Sequence, residues 1–272
     1  MRGGVIPPFF FMGKSNTERF AALFRGLERA YGSLEITNKD ARTQKQKGQY
    51  LFVKEPRTTA TFDAHLAGKQ SIGVVPINED NLCVWGAIDI DQYPLDHVAL
   101  IRKVEKLELP LVVCRSKSAG AHVFLFLKDF VEAEALQLKL KEIAAELGYG
   151  GCEIFPKQIK LVVERGDNGN FLNLPYFDQK GGLRYALKSD GSAATLEEFL
   201  KYAEESAIDV ADLDTLLTQE TPAVDDRLKD GPPCLQALLR QGFPEGTRNN
   251  GVPRRLGNQN TGLQPNDYEP AP

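Results

Sequence analysis

Two aspartates end an otherwise apolar stretch of the sequence, the segment LCVWGAIDID at 82–91. The apolar run predicts a strand buried on both faces, and side chains two residues apart on a strand point the same way. Asp89 and Asp91 would then present neighbouring carboxylates, and hard oxygen ligands of this kind suit Mg²⁺ or Mn²⁺. The alternative is a strand that simply ends in solvent with two acidic residues.

A basic, hydroxyl-rich turn follows between two predicted strands, in the segment RSKSAGAH. Arg115 and Lys117 supply positive charge, Ser118 and His122 supply directional donors, and a glycine lets the backbone approach a ligand closely. This combination predicts a cradle for an anion such as a phosphate group. The alternative is a solvated hairpin turn followed by a structural histidine.

A third acidic residue, Glu153, lies inside the short apolar segment GCEIF and is followed by Lys157 and Gln158. A carboxylate on a different strand could serve as a third metal ligand beside Asp89 and Asp91. The alternative is an edge residue that forms a salt bridge.

Hydrophobic periodicity predicts an α+β chain in which strand pairs flank long helices, without strict βαβ alternation. Predicted helices cover 15–31, 95–107, 131–147 and 196–206, and predicted strands cover 71–75, 82–90, 110–114, 121–127, 152–155 and 171–177. Ser15, with Glu18 three residues later, is a candidate cap for the first helix. The polar, basic segment 37–49 is predicted to be an exposed loop.

The charge is unevenly distributed along the 272 residues, although the net charge is only −4. Residues 14–69 carry 11 Lys or Arg and 6 Asp or Glu, whereas residues 196–230 carry 3 and 11. A basic face for nucleic acid is therefore compatible with an acidic total, although two ordinary solvated surfaces explain the same numbers. Neither a P-loop motif nor a dinucleotide-binding GxGxxG motif occurs, which disfavours those enzyme classes.

Four widely spaced cysteines, Cys83, Cys114, Cys152 and Cys234, disfavour a zinc ribbon and are expected to be free thiols in a reducing cytoplasm. No apolar run reaches the length of a membrane helix, so we expect a cytoplasmic protein without a membrane partner. We predict four regions in the chain. These are a flexible N-terminus at 1–14, a catalytic domain at 15–215, an acidic proline-containing linker at 216–233, and a short helix with a largely disordered tail at 234–272.

Taken together, the ordered motifs resemble the archaeo-eukaryotic primase superfamily, and in particular the primase domain of TOTE conflict systems and related phage or CRISPR-associated primase-polymerases. The matching segments are HLAG at 65–68 with IGVVP at 72–76, AIDID at 87–91, SKSAGAH at 116–122, EIFPKQ at 153–158, GNFLNLPYF at 169–177 and PPCLQALLRQGFPEGTRNN at 232–250. The resemblance implies a primase-like catalytic core with an RRM-like sheet flanked by helices.

The resemblance also implies a role for each matching residue. Asp89, Asp91 and Glu153 correspond to the catalytic acids that bind two divalent ions, Mg²⁺ or Mn²⁺, and Glu153 stands where many members have Asp. His122, Ser118 and Lys117 correspond to the motif that holds the incoming triphosphate, and Arg115 of the same basic turn is expected to bind it as well. Lys157, Gln158 and Asn173 fall in motifs that line the nucleotide site.

We therefore expect a template-dependent DNA primase-polymerase that makes or extends primers on single-stranded DNA from nucleoside triphosphates, with a possible helicase acting in trans. The basic region at 39–57, with Tyr50 and Phe52, is a candidate template contact. Two alternatives stay open at this point. One is a gap-filling or end-extending polymerase of repair or defence, and the other is a non-catalytic single-strand-binding initiator module.

Overall fold

A computed structural model describes residues 13–39 and 46–217 of the chain, with side chains described outside 34–50. The elements in chain order are α1 (Asn16–Leu23), β1 (Tyr31–Lys39), β2 (Gln46–Val53), α2 (Thr59–Leu66), β3 (Ser71–Val74), β4 (Leu82–Ile90), α3 (His97–Lys106), β5 (Leu111–Arg115), β6 (Ala121–Glu132), α4 (Ala133–Glu146), β7 (Glu153–Phe155), β8 (Leu172–Asn173) and α5 (Leu196–Ser206). The predicted mixed α/β class is confirmed. The predicted N-terminus, linker and tail lie almost entirely outside the described residues.

One antiparallel sheet, called sheet B here, has the strand order β5-β6-β4-β7. Along the chain, the elements of this sheet and its helices follow the order β4-α3-β5-β6-α4-β7. This is the βαββαβ pattern of split βαβ folds, so the predicted RRM-like sheet is confirmed. Helices α3 and α4 cover one face, where Leu100 and Leu140 join Ile88 in a buried cluster. The two central strands therefore have neighbours on both sides and fix the position of the residues at their ends.

The second antiparallel sheet, called sheet A, has the strand order β2-β1-β3-β8. A second buried cluster includes Ile72 from sheet A, Trp85 from β4, and Phe24 and Phe199 from the region of α1 and α5. Strand β4 is thus buried on both faces, with Ile88 in one cluster and Trp85 in the other. This two-sided burial explains why LCVWGAI is apolar throughout instead of alternating.

Buried His65 connects α2 to sheet A. Its Nδ1 accepts a hydrogen bond from the backbone N–H of Ile72 at 3.1 Å, and its Nε2 donates to the carbonyl oxygen of Pro175 at 2.8 Å. Burial is the main reason that the pKa of His65 is lowered to about 4. The ring is therefore neutral at physiological pH. Its two nitrogens fix the position of the start of β3 and of the segment that follows β8.

Helix α1 is shorter than predicted. The capping box is confirmed, since Ser15 Oγ accepts from the Glu18 N–H and Glu18 accepts from the Ser15 N–H. The prediction of a helix over 15–31 is nevertheless wrong, because α1 ends at Leu23 and β1 begins at Tyr31. The backbone N–H of Leu27 instead donates to the carbonyl oxygen of Val75 at 3.0 Å, so Leu27 is buried through a tertiary contact.

Two further segments differ from the sequence prediction. The proposed loop at 37–49 is partly wrong, because β1 continues to Lys39 and β2 begins at Gln46. These strands pair in an antiparallel ladder, and ladder hydrogen bonds between backbones do not require apolar side chains. The predicted strand at 171–177 contracts to Leu172–Asn173. Helix α2 was not predicted, and β6 continues five residues beyond its predicted end to Glu132, whereas the remaining helices and strands lie within two residues of their predicted bounds.

The described cysteines are free thiols: Cys83 and Cys114 are buried and Cys152 is partly buried. Within the part of the chain that the structure describes, no helix combines the length and the apolar character needed to cross a bilayer.

Candidate active site

A row of three polar side chains crosses sheet B at the end of β4. Strand pairing places Asp89 directly opposite His122 on β6 and directly opposite Glu153 on β7. Residues that face each other across antiparallel strands project from the same side of the sheet. The backbone ladder thus brings together residues that are 31 to 64 positions apart in the sequence.

Asp89 is the most buried acid of this row, with 16% of its side chain exposed. Its Oδ1 has no hydrogen-bond partner among the described residues, and the Nε2 atom of His122 lies 3.4 Å away. Burial is the main reason that the pKa of Asp89 is raised to about 7, and the negative charges of Asp91 and Glu153 contribute to the same rise. A buried carboxylate with acidic neighbours and no hydrogen bond leaves negative charge that a cation would neutralise.

His122 lies at the junction of the two sheets. Burial lowers its pKa to about 4, and the positive charge of Arg184 acts in the same direction. A hydrogen bond to the backbone of Asn173 on β8 and the charge of Asp91 act in the opposite direction. The ring is therefore neutral at physiological pH, and it bridges sheet B, which carries it, to sheet A.

The turn between β5 and β6 is held tightly against the end of β4. The N–H of Ser116 donates to the carbonyl oxygen of Gly120 at 2.9 Å, and Ala119 adopts a left-handed backbone with φ of 70°. A β-carbon at Gly120 would lie 2.2 Å from the carbonyl oxygen of Ile90, a distance that no side chain tolerates. Glycine at this position lets the basic turn approach the two aspartates.

These elements enclose a polar cavity of about 150 Å³. Six of its lining residues were predicted from the sequence as site residues, namely Asp89, Asp91, Lys117, Ser118, His122 and Asn173. Ser116 and Arg184 complete the lining. Ser116 Oγ is buried and has no hydrogen-bond partner among the described residues, so it is available to a ligand.

Three predicted nucleotide-binding residues do not line this cavity, and two of them, Arg115 and Gln158, bond to nearby loops. Arg115 donates to the carbonyl oxygen of Leu183 at 2.8 Å, which holds the segment before Arg184 against the end of β5. Gln158 accepts from the N–H of Asn170 at 2.9 Å and also donates to the Asn170 side chain. Both residues therefore support loops that lead to the cavity.

Glu153 and Lys157 also lie outside the cavity lining, and they are paired with each other. The carboxylate of Glu153 is 61% exposed and forms an ion pair with Lys157 Nζ at 2.6 Å. Asp91, which is exposed, accepts a hydrogen bond from the hydroxyl of Tyr93 at 2.9 Å. The three acids are thus neighbours in the sheet, but two of their carboxylates have partners of their own.

The donor set suits a hard divalent cation, because Asp89 offers an oxygen without a hydrogen bond and Asp91 lies on the same face two residues later. Across residues 13–39 and 46–217, however, no three His, Cys, Asp or Glu side chains already surround one point. A cation held by all three carboxylates would require Glu153 to turn away from Lys157.

One known protein family matches the part of the chain that forms this architecture. The description "TOTE conflict system, Archaeo-Eukaryotic Primase domain" fits residues 18–198, a range from α1 into α5 that includes both sheets. The chain belongs to this family. None of the curated proteins matches the chain significantly.

Solved structures similar to this primase domain share little sequence with it. The primase-polymerase domain of cyanophage S-2L is 12% identical, and the match covers 69% of this chain and 96% of that one with a TM-score of 0.38. A crystal structure of the primase RepB' is 15% identical, with 70% and 61% coverage and a TM-score of 0.33. The catalytic domain of RepB' in complex with initiator DNA is also 15% identical, with 75% and 97% coverage and a TM-score of 0.33.

Sequence reasoning missed two residues that contribute to the site of this primase domain. Arg184 is buried, donates to Ser71 Oγ at 2.8 Å and to the carbonyl oxygen of Leu174 at 3.2 Å, and still reaches the cavity lining. It lies in GGLRYAL, where a lone arginine gives no signal. His97 at the start of α3 donates to the carbonyl oxygen of Gly120 at 3.0 Å and so holds the basic turn. Its role depends on tertiary packing that no local pattern reveals.

Proposed function

We propose that this primase domain is a template-dependent DNA primase-polymerase, a nucleotidyltransferase that synthesises or extends primers on single-stranded DNA. The observation that carries the proposal is the cross-strand row of Glu153, Asp89 and His122, which lies beside the basic turn that contains Lys117. Acidic oxygens and anion-binding donors thus share one cavity, as phosphodiester formation from a triphosphate requires.

The acidic side of the cavity would hold Mg²⁺ or Mn²⁺ through Asp89 and Asp91, with Glu153 as a further ligand. Two such ions, when bound, supply activation of the primer 3′-hydroxyl and neutralisation of the pyrophosphate leaving group. Asp89 would set the position of the acidic ligands, because its strand pairs with a neighbouring strand on each side. No covalent intermediate on the protein is needed for this reaction.

The basic side of the cavity would bind the triphosphate. Lys117 and Arg184 bring positive charge, and Ser116 and Ser118 bring hydroxyl donors. The single N–H of the neutral His122 ring is used by its hydrogen bond to the Asn173 backbone, so His122 would line the phosphate site and hold β8 beside it. A cavity of about 150 Å³ is smaller than a typical small-molecule pocket of roughly 300–1,000 Å³, so it would enclose only part of a nucleotide.

The remaining predicted residues have supporting positions under this proposal. Asn173 enters the cavity from sheet A and would contact the nucleotide. Arg115 and Gln158 would hold the surrounding loops, and Lys157 would pair with the Glu153 carboxylate when no cation is bound. Single-stranded DNA and nucleoside triphosphates are the proposed partners, with a helicase acting in trans.

The test is product analysis on single-stranded DNA without a primer, with deoxynucleotides and ribonucleotides supplied separately and with Mg²⁺ or Mn²⁺. Synthesis by the wild-type protein that is lost in Asp89→Ala/Asp91→Ala supports the proposal. The matched control is Asp129→Ala, an exposed acid at the far end of β6, which should keep full incorporation.

Other outcomes assign other functions. Incorporation only on primed or gapped DNA would indicate a gap-filling or end-extending polymerase. Binding of single-stranded DNA without incorporation, and without any effect of divalent metal or nucleotide, would indicate a non-catalytic initiator module. Full incorporation by Asp89→Ala/Asp91→Ala would refute the assignment of the site.

A further inference from the structure

A second cross-strand row lies on sheet A and begins at the cavity. Strand pairing places Asn173 opposite Gly73, Gly73 opposite Gly32, and Gly32 opposite Phe52. The four residues come from the four strands β8, β3, β1 and β2 and project from the same face. Two paired glycines in the middle of a sheet are unusual, because glycine packs no side chain and weakens a strand.

The ring of Phe171 explains the two glycines. A β-carbon at Gly32 or at Gly73 would lie 2.4 Å or 2.3 Å, respectively, from atoms of this ring. The ring therefore rests against bare backbone, between Asn173 at one end of the row and Phe52 at the other. Phe52 contacts it edge to face, with ring centroids 5.1 Å apart.

The row that carries the rings of Phe171 and Phe52, called the aromatic strip here, is continuous with the candidate active site. Asn173 lines the cavity, and Phe171 precedes it by two residues on the same face of the chain. Four neighbouring strands at about 4.8 Å spacing extend the strip to roughly 14 Å from the cavity. A strip of that length exceeds one nucleobase, so successive nucleotides of a strand would cover it.

Exposure and charge favour a nucleic-acid strand as the occupant. Phe52 is 37% exposed, and Phe171 is partly exposed. The segment 39–57, which contains β2, carries two Asp or Glu and five Lys or Arg besides Arg57, whose guanidinium donates to the carbonyl oxygens of Phe24 and Leu27. A sequence segment that combines positive charge with an exposed aromatic residue is typical of proteins that bind single strands, since cations bind the phosphates and rings stack on the bases.

We propose that Phe171 and Phe52 form a stacking platform for unpaired template bases next to the nucleotide cavity. The inference deepens the proposed function and rests on it for the identity of the strand as template. The glycines at 32 and 73 serve the platform, because only they allow the Phe171 ring to lie against the sheet.

The test is binding of a fluorescein-labelled oligothymidylate of about 16 nucleotides, measured by anisotropy without nucleotide and with the metal chelated. Phe52→Leu and Phe171→Leu should each weaken binding by about 5-fold or more, as expected for the loss of one stacked base. An abasic strand of the same length should bind the wild type and both variants equally. The matched control is Phe130→Leu, since Phe130 is 38% exposed on β6 beside Arg25.

Conservative variants guard against a folding artefact. Phe52→Trp and Phe171→Tyr keep a ring, so they should bind the oligothymidylate within about 2-fold of the wild type. Unchanged binding by both leucine variants would overturn the platform. Equal weakening on the intact and abasic strands would also overturn it, because the contact would not be stacking. A raised KM for the nucleotide with unchanged strand affinity would assign the rings to the incoming base instead.

The experiments can refute the stacking platform and the polymerase assignment independently of each other. Strand binding that depends on the rings, in a protein that incorporates no nucleotide, would refute the polymerase and support the platform. Incorporation together with strand binding that ignores both rings would do the reverse. A wild-type protein that does not bind the oligothymidylate at all would overturn the platform directly.

Discussion

Glu153 lies directly opposite Asp89 in the β4–β7 pair, yet its carboxylate forms an ion pair with Lys157 at 2.6 Å. Two charges therefore compete for Glu153, namely the lysine in this structure and the cation proposed for Asp89 and Asp91. This competition can be measured, because the two partners can be removed one at a time.

Glu153→Gln is expected to weaken Mn²⁺ binding by about 10-fold or more, because it removes a charged ligand. Lys157→Met should tighten Mn²⁺ binding by a few fold, since it removes the competing cation. Both variants should change the free energy of unfolding by less than about 1 kcal/mol, because the ion pair lies at the surface, with the Glu153 carboxylate 61% exposed. Calorimetric Mn²⁺ titrations and thermal melts check this. Equal weakening in both variants would mean that Lys157 positions Glu153 for the metal.

Asp89→Asn keeps the shape of the side chain and removes its charge. We expect incorporation to fall by about 100-fold or more, as for other lost transition-state contacts. In chelator the variant should be at least as stable as the wild type, because a buried carboxylate without a hydrogen bond does not favour folding. Mg²⁺ should raise the Tm of the wild type but not that of the variant. A lower Tm for the variant in chelator would instead give Asp89 a structural role.

Gly120→Ala tests the fit of the basic turn. The new β-carbon would collide with the carbonyl oxygen of Ile90, so we expect about 2 kcal/mol of destabilisation and weaker nucleotide binding. Gly151→Ala is the matched control, since a β-carbon there meets no atom within 4 Å, and it should match the wild type in both measurements. Urea unfolding and nucleotide titration provide the comparison. Wild-type behaviour of Gly120→Ala would show that the turn can move away from β4.

Buried His65 predicts a pH dependence of stability. Its folded-state pKa of about 4 lies below the ordinary value of 6.5, so the unfolded chain binds the proton more tightly. The full stability is present above pH 6.5 and falls as the pH drops towards 4, by up to about 3 kcal/mol at 1.36 kcal/mol per pKa unit. His65→Gln should lose this part of the slope. Urea unfolding between pH 7.5 and 4 measures it, and identical slopes in both proteins would contradict the assignment.

Much of sheet B could be predicted because its sequence pattern is local. The apolar run that ends in Asp89 indicated a strand buried on both faces, and α5 was predicted with its observed bounds. The cluster of Asp89, Asp91, Lys117, Ser118 and His122 could also be predicted, since these residues stand at the ends of neighbouring strands.

The features that were missed depend on distant contacts. Helix α1 stops at Leu23 although apolar spacing continues to Leu27, because Leu27 bonds to Val75. The hairpin of β1 and β2 is held by its backbone ladder, so its polar side chains resembled a loop. Arg184 enters the site from a segment that pairs with the edge of β5, which no pattern in its own neighbourhood indicates.

Side chains alternate between the two faces of β4, so the strand pairing that buries the apolar core also positions the candidate site. Ile88 and Ile90 face α3 and α4, and Asp89 between them faces the cavity. A shift of one residue in the pairing of β4 would place the carboxylate among leucines and an isoleucine beside the basic turn. A chain misaligned in this way would lose both its apolar core and the position of its acidic side chains at the cavity. Correct pairing of β4 is therefore enough to place Asp89 on the side of the cavity.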